Sequence, residues 1–153
     1  MKQVFKSVVI GLAGLAFSAM ASADDKATSA EAMAMMKKAV AFVKSHGKDK
    51  AFAEFNNPKG QFVDRDLYVM CYDMSGNNKC HGSNPKLVGK NLLDIKDVDG
   101  KFIVQGLIAV ASKDNGKGWV DYKWPNAITK TVEAKSTYVE KVDGILLGIG
   151  IYK

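Results

Sequence analysis

Between Ala32 and Val43 apolar residues recur every three or four positions, with Met33, Met36, Val40 and Val43 forming a stripe that Ala32, Ala39 and Phe42 widen. Lys37, Lys38 and Lys44 fall mostly off that stripe. This period predicts an amphipathic helix. Thr28-Ser29-Ala30-Glu31 reads as its capping box, with Thr28 as cap and Glu31 reaching back. His46-Gly47 ends it, because Gly47 tolerates the left-handed conformation and a cation at His46 complements the dipole. Asp49 is the expected cap of a short second helix through about Phe55, which Asn56-Asn57-Pro58-Lys59-Gly60 terminates.

Beyond Gly60 the pattern turns largely to strands. Leu67-Tyr68-Val69-Met70-Cys71-Tyr72 is rich in β-formers and is bounded by the turn Asp73-Met74-Ser75-Gly76-Asn77-Asn78, with Lys79-Cys80-His81 as the return strand. Residues 83–90 read as a loop, 91–95 as a helical turn and 102–112 as a helix. Three strands follow, over 119–124, 134–141 and 145–152, separated by the chain reversers Pro125-Asn126 and Asp143-Gly144. Helix, helix, hairpin, helix and a three-stranded meander describe an α+β fold with one antiparallel sheet. No repeat, low-complexity tract or linker divides it.

The first 23 residues carry a different pattern: Lys2 and Lys6, an apolar run from Val8 to Phe17, and the small-residue site Ala21-Ser22-Ala23. These are the three parts of a secretory signal peptide, and the run is well short of the roughly 20 residues that span a bilayer. Cleavage after Ala23 is expected, leaving one domain over residues 24–153, long enough to bury a real core. Export places the protein in the periplasm or outside the cell. The formal charge falls from +6 to +4, since the leader holds two lysines and no acid. Scattered lysines without an arginine-rich stripe argue against nucleic acid, while a mild positive excess suits an anionic ligand or merely solubility.

Cys71 and Cys80 both lie in the exported part, where disulfides persist. A two- or four-residue hairpin loop places them opposite each other on one face, whereas a three-residue loop with a glycine bulge separates them. An exported pair at hairpin spacing favours the bond; two inert buried thiols are the alternative. His81 after Cys80 is half of a haem attachment signature, but Asn77 stands where the first cysteine is required, so covalent haem is excluded. Met33, Met35 and Met36 suit a core better than a soft-metal site. With two histidines and no nominated carboxylates, no metal or other cofactor is expected.

The candidate site chemistry is concentrated near Gly118-Trp119-Val120-Asp121-Tyr122-Lys123-Trp124-Pro125 and Lys135-Ser136-Thr137-Tyr138-Val139-Glu140, whose aromatics and lysines have the composition of a small-molecule pocket. These segments, together with 67–76, His81, Asn84-Pro85, Leu87-Val88-Gly89-Lys90-Asn91-Leu92 and Gly148-Ile149-Gly150-Ile151-Tyr152, resemble in order the single Cache type 2 domain. Gly82 stands where that family often has proline. The resemblance implies a PAS-like fold, with a long N-terminal helix on an antiparallel sheet of about five strands and a ligand cavity between the sheet and its cover. It also implies sensing of small carboxylates, amino acids, amines or urea-like molecules, without catalysis. The second reading is an accessory subunit that docks on a membrane-bound receptor or sensor kinase.

The pocket candidates are Tyr72, His81, Trp119, Tyr122, Trp124, Lys135 and Tyr138. Strand alternation separates Val120, Tyr122 and Trp124 from Trp119, Asp121 and Lys123, and Lys135, Thr137 and Val139 from Ser136, Tyr138 and Glu140. Only one face of each strand can line the same pocket, and the pattern does not say which. Lys135 is a candidate counter-charge for a ligand carboxylate, the alternative being a solvated strand lysine. Arg65, the single arginine, is a possible anion anchor, or pairs with Asp64 or Asp66 in solvent. No paired carboxylates, metal cluster or activated nucleophile can be assembled.

Overall fold

The computed structural model describes residues 26–153. The expected leader and its cleavage site lie outside the described residues. Helix α1 (Ser29–His46) begins with both halves of the capping box, Thr28 Oγ1 accepting from the Glu31 N–H and the Glu31 carboxylate from the Thr28 N–H, and ends on Gly47 at φ 79°. Helix α2 (Lys48–Phe55) departs from expectation at its start. Gly47 serves as its cap with no side-chain hydrogen bond, because the positive-φ glycine reverses the chain directly from one helix into the next and leaves Asp49 inside the first turn.

Six strands follow: β1 (Val63–Asp64), β2 (Leu67–Asp73), β3 (Asn78–His81), β4 (Lys117–Pro125), β5 (Val132–Val142) and β6 (Ile145–Tyr152). Helix α3 (Ile103–Ala111) lies between β3 and β4, and a short 3-10 turn (Pro85–Leu87) breaks the expected 83–90 loop. All pairings are antiparallel, in the order β1-β2-β6-β5-β4, with β3 also on β2. The sheet is therefore five strands wide, with β1 and β3 sharing a rank beside β2.

Register divides the sheet into two faces. Val69, Cys71, Leu147, Ile149 and Tyr138 point to one side, where Met36, Ala39 and Val43 of α1 and Phe55 of α2 complete a core. Met70, Tyr72, Val120, Tyr122, Val139 and Leu146 point to the other, against Ile103, Val104 and Leu107 of α3. Met33 of the expected α1 stripe is 46 % exposed, since the buried line runs through Ala32, Met36, Ala39 and Val43.

Cys71 and Cys80 form a disulfide, with their α-carbons 4.8 Å apart. The hairpin reaches this arrangement by a route the loop-length rule does not anticipate. The Asp73 N–H bonds the Asn77 carbonyl across a three-residue turn, which by itself would set the cysteines out of register. The ladder then slips by one residue: Tyr72 pairs with Asn78 but Cys71 with Cys80. Lys79 bulges out, and this extra residue restores the cysteine pairing.

Candidate functional site

The α3 face of the sheet holds a small, largely enclosed cavity. Tyr68, Met70 and Tyr72 of β2 form one wall with His81 of β3, Tyr122 and Trp124 of β4 form another, and Ile95, Ile103 and Val104 close it from above. It leaves about 10 Å³ to the centre of a water-sized sphere, room for roughly one water. Apolar walls with a few convergent hydroxyls and one imidazole have the make-up of a small-molecule site.

The shape of this floor depends on two glycines. Gly148 and Gly150 alternate with Leu146 and Tyr152 on the cavity face of β6. The Lys135 side chain starts on β5 and crosses β6 above Gly150, where a β-carbon would collide with its Cε. Its ammonium thereby reaches Tyr68 on β2, donating to the hydroxyl at 2.7 Å, and Tyr152 Oη lies 3.4 Å away. Nζ also stands 4.1 Å from the Tyr68 ring centroid and 4.5 Å from that of Tyr152. Lys135 is 1 % exposed, and among the described residues no carboxylate pairs with it. Phenol oxygens and ring faces carry this charge in place of an acid.

The buried cation reorganises its neighbours. Burial alone would raise the Tyr68 phenol, yet the Lys135 charge and hydrogen bond override it and hold that group below its ordinary value. Burial pushes Tyr72 up to about 12 and Tyr122 well above the phenol range. Tyr122 shares a 2.8 Å hydrogen bond with Thr137 Oγ1. His81 is pushed down to about 3, by burial first and by the Lys135 charge second. Its Nδ1 accepts from the Asn84 N–H at 3.1 Å, which leaves Nε2–H as the donor of a neutral ring. An imidazole so reluctant to take a proton is a poor general base at neutral pH. The site is equipped to donate hydrogen bonds to a bound molecule.

Of the seven pocket candidates, Tyr72, His81, Tyr122 and Trp124 line the cavity, and Lys135 stands behind the Tyr68 part of its wall. Trp119 and Tyr138 do not belong to it. They pair directly across β4 and β5 on the opposite face, with ring centroids 5.2 Å apart, beside α1. Arg65 does not line the cavity either; Asp64 at 3.0 Å and Glu31 of α1 at 2.6 Å hold it in a surface cluster. Tyr68 was missed. Its spacing of two and four residues from Met70 and Tyr72 on one strand was the available signal.

The sequence pattern of the family described as single Cache domain 2 matches residues 3–152. The methyl-accepting chemotaxis protein McpP of Pseudomonas putida is 32 % identical over 91 residues, which are 58 % of this chain and 16 % of that protein. The sensor histidine kinase MctS of Rhizobium johnstonii is 34 % identical over 90 residues, covering 58 % of this chain and 19 % of the kinase. The matched stretches thus span less than a fifth of either relative. Among solved structures, the methyl-accepting chemotaxis protein from Vibrio parahaemolyticus RIMD 2210633 superposes with a TM-score of 0.69 at 29 % identity, covering 80 % of this chain and 86 % of that one. No described helix is long and apolar enough to cross a membrane. The chain belongs to the single Cache domain 2 family of ligand-sensing domains.

Proposed function

We propose that this domain binds a small organic anion of the carboxylate class in the cavity beside Tyr68, as an extracytoplasmic sensor without catalysis. The observation that carries this reading is Lys135, a 1 % exposed ammonium with no acidic partner among the described residues. A buried charge is costly unless countered, and a ligand carboxylate received by the Tyr68 hydroxyl would supply the missing negative charge. Tyr72, Tyr122 and His81 Nε2–H are the further candidate donors, with Met70, Ile95, Ile103 and Val104 receiving the apolar part of the ligand. The same field disfavours amines, since a second cation would approach Lys135 inside an apolar site.

The cavity is of one-water size, so its α3 and 95–103 cover must yield to admit a carbon skeleton. This supports short acids over bulky ones. A thermal-shift screen of purified protein against short monocarboxylates, their amides, and amines of equal length tests the reading. A ligand at about 100 times its dissociation constant adds about 2.7 kcal/mol, so the acids alone should raise the melting temperature saturably. A rise with amines instead of acids, or with neither, would sink the assignment.

A further inference from the structure

The face opposite the cavity carries a groove that the ligand reading does not use. Helix α1 packs on β6, β5 and β2 and stops short of β4, leaving Trp119 37 % exposed against Tyr138. Between helix and sheet edge lies an open groove of about 300 Å³, with Met33, Val40 and Tyr138 as apolar lining and Lys37 and Lys117 among its polar residues. Met33 is 46 % exposed. Met33, Val40 and Tyr138 thus form one apolar lining, with Trp119 against Tyr138 at its margin, and a contiguous apolar patch rimmed by polar residues marks an interaction site.

Charge selects the occupant. Lys37 and Lys117 make no ion pair among the described residues, and Lys38 and Lys44 extend the basic rim along the exposed side of α1. The acid of α1, Glu31, is taken up by Arg65, which leaves half-buried Glu140 as the acid lining the groove. A second copy of the chain would bring the same lysines against these. Strand addition along β4 is also interrupted at Asp121–Lys123, where Asp97 accepts from the Lys123 N–H at 3.0 Å and Lys101 Nζ donates to the Asp121 carbonyl. Recognition therefore falls to side chains on the face.

We infer that the α1–β4 groove docks an acidic amphipathic segment of another protein, whose apolar residues cover Met33, Val40 and Trp119 and whose carboxylates meet Lys37 and Lys117. This inference is independent of the ligand cavity. The probe is a dye-labelled synthetic helix about 18 residues long, five turns, with leucine on one face and glutamate on the other. Its controls are a scrambled isomer of equal charge and phosphatidylglycerol vesicles, read by fluorescence anisotropy and flotation. The amphipathic peptide should bind at least tenfold more tightly than its isomer, weaken as salt rises, and lose at least tenfold in affinity with K37E/K117E. Both substitutions lie at exposed positions, and an unchanged melting temperature checks the fold; M33D is a second variant with the same expected loss. Equal affinity for the two isomers, indifference to both variants, or capture by vesicles or a second copy without peptide binding overturns the inference.

Discussion

Gly150 and Lys135 divide one space between them: the lysine stem of β5 lies where a β-carbon of residue 150 on β6 would stand, with Thr137 Oγ1 closing the other side. The absent side chain lets a cation cross a strand and reach Tyr68.

Gly150→Ala should therefore do more than overpack. Inserting a methyl into a tight core costs about 1–3 kcal/mol, and here relief requires moving the ammonium off the Tyr68 hydroxyl. Urea unfolding should show the loss, and carboxylate affinity should fall with it. Gly148→Ala, whose nearest atoms are Met70 side-chain carbons at 3.1–3.2 Å and Thr137 Cγ2 at 3.2 Å, should cost less. An equal or larger loss for Gly148→Ala would contradict this account of the floor.

His81 should make the fold acid-sensitive in a definite window. Its native pKa is about 3 against an ordinary 6.5, so between those values the unfolded state binds the proton that the native state refuses. Stability then rises with pH through that window, by up to about 1.4 kcal/mol per unit. Above 6.5 the contribution is fully present, and it is lost progressively as pH falls towards 3. Glu31 and Glu133, both held at about 2 against an ordinary 4.5, add their own slope below about pH 5.5, so the imidazole is read most cleanly between about 5.5 and 6.5. His81→Gln should flatten the melting-temperature profile there; a slope identical to that of the parent would refute the assignment.

The disulfide closes a short loop, its cysteines nine residues apart in sequence. Chain-entropy arguments give about 2.5 kcal/mol for such a loop. Cys71→Ala with Cys80→Ala should lower urea stability by about that amount or more, because both positions are fully buried. Denatured, unreduced protein should show no reactive thiol. Two titratable thiols would contradict the bond.

Much of this architecture was legible in the sequence, and the gaps have physical causes. The α1 capping box, the glycine stop and the final hairpin are written in local residue chemistry, so they could be read locally. The start of α2 could not, because Asp49 competed with a glycine able to serve two helices at once. Strand alternation separated Tyr122 and Trp124 from Trp119 on β4, and Lys135 from Tyr138 on β5, but could not tell which set of either strand faced the cavity. That choice is made by helix packing: α1 takes one face of the sheet and α3 the other. The alternation of Gly148 and Gly150 with bulky neighbours was a signal for a flattened stripe. Reading it as a path for Lys135 required knowing that β6 lies between β5 and β2. The bulge at Lys79 is likewise a property of the paired strands rather than of the loop sequence.

The central claim is that a ligand carboxylate answers the buried Lys135 charge, and calorimetric titration of propionate and propionamide into the parent and Lys135→Met tests it most directly. Methionine keeps an apolar stem and removes the ammonium, and a cooperative melting transition of the variant checks that it folds. The account predicts that the parent binds the acid at least tenfold more tightly than the amide, about 1.4 kcal/mol, and that Lys135→Met abolishes this preference. A parent that binds amide and acid alike, or a folded Lys135→Met protein that keeps the preference, would contradict it.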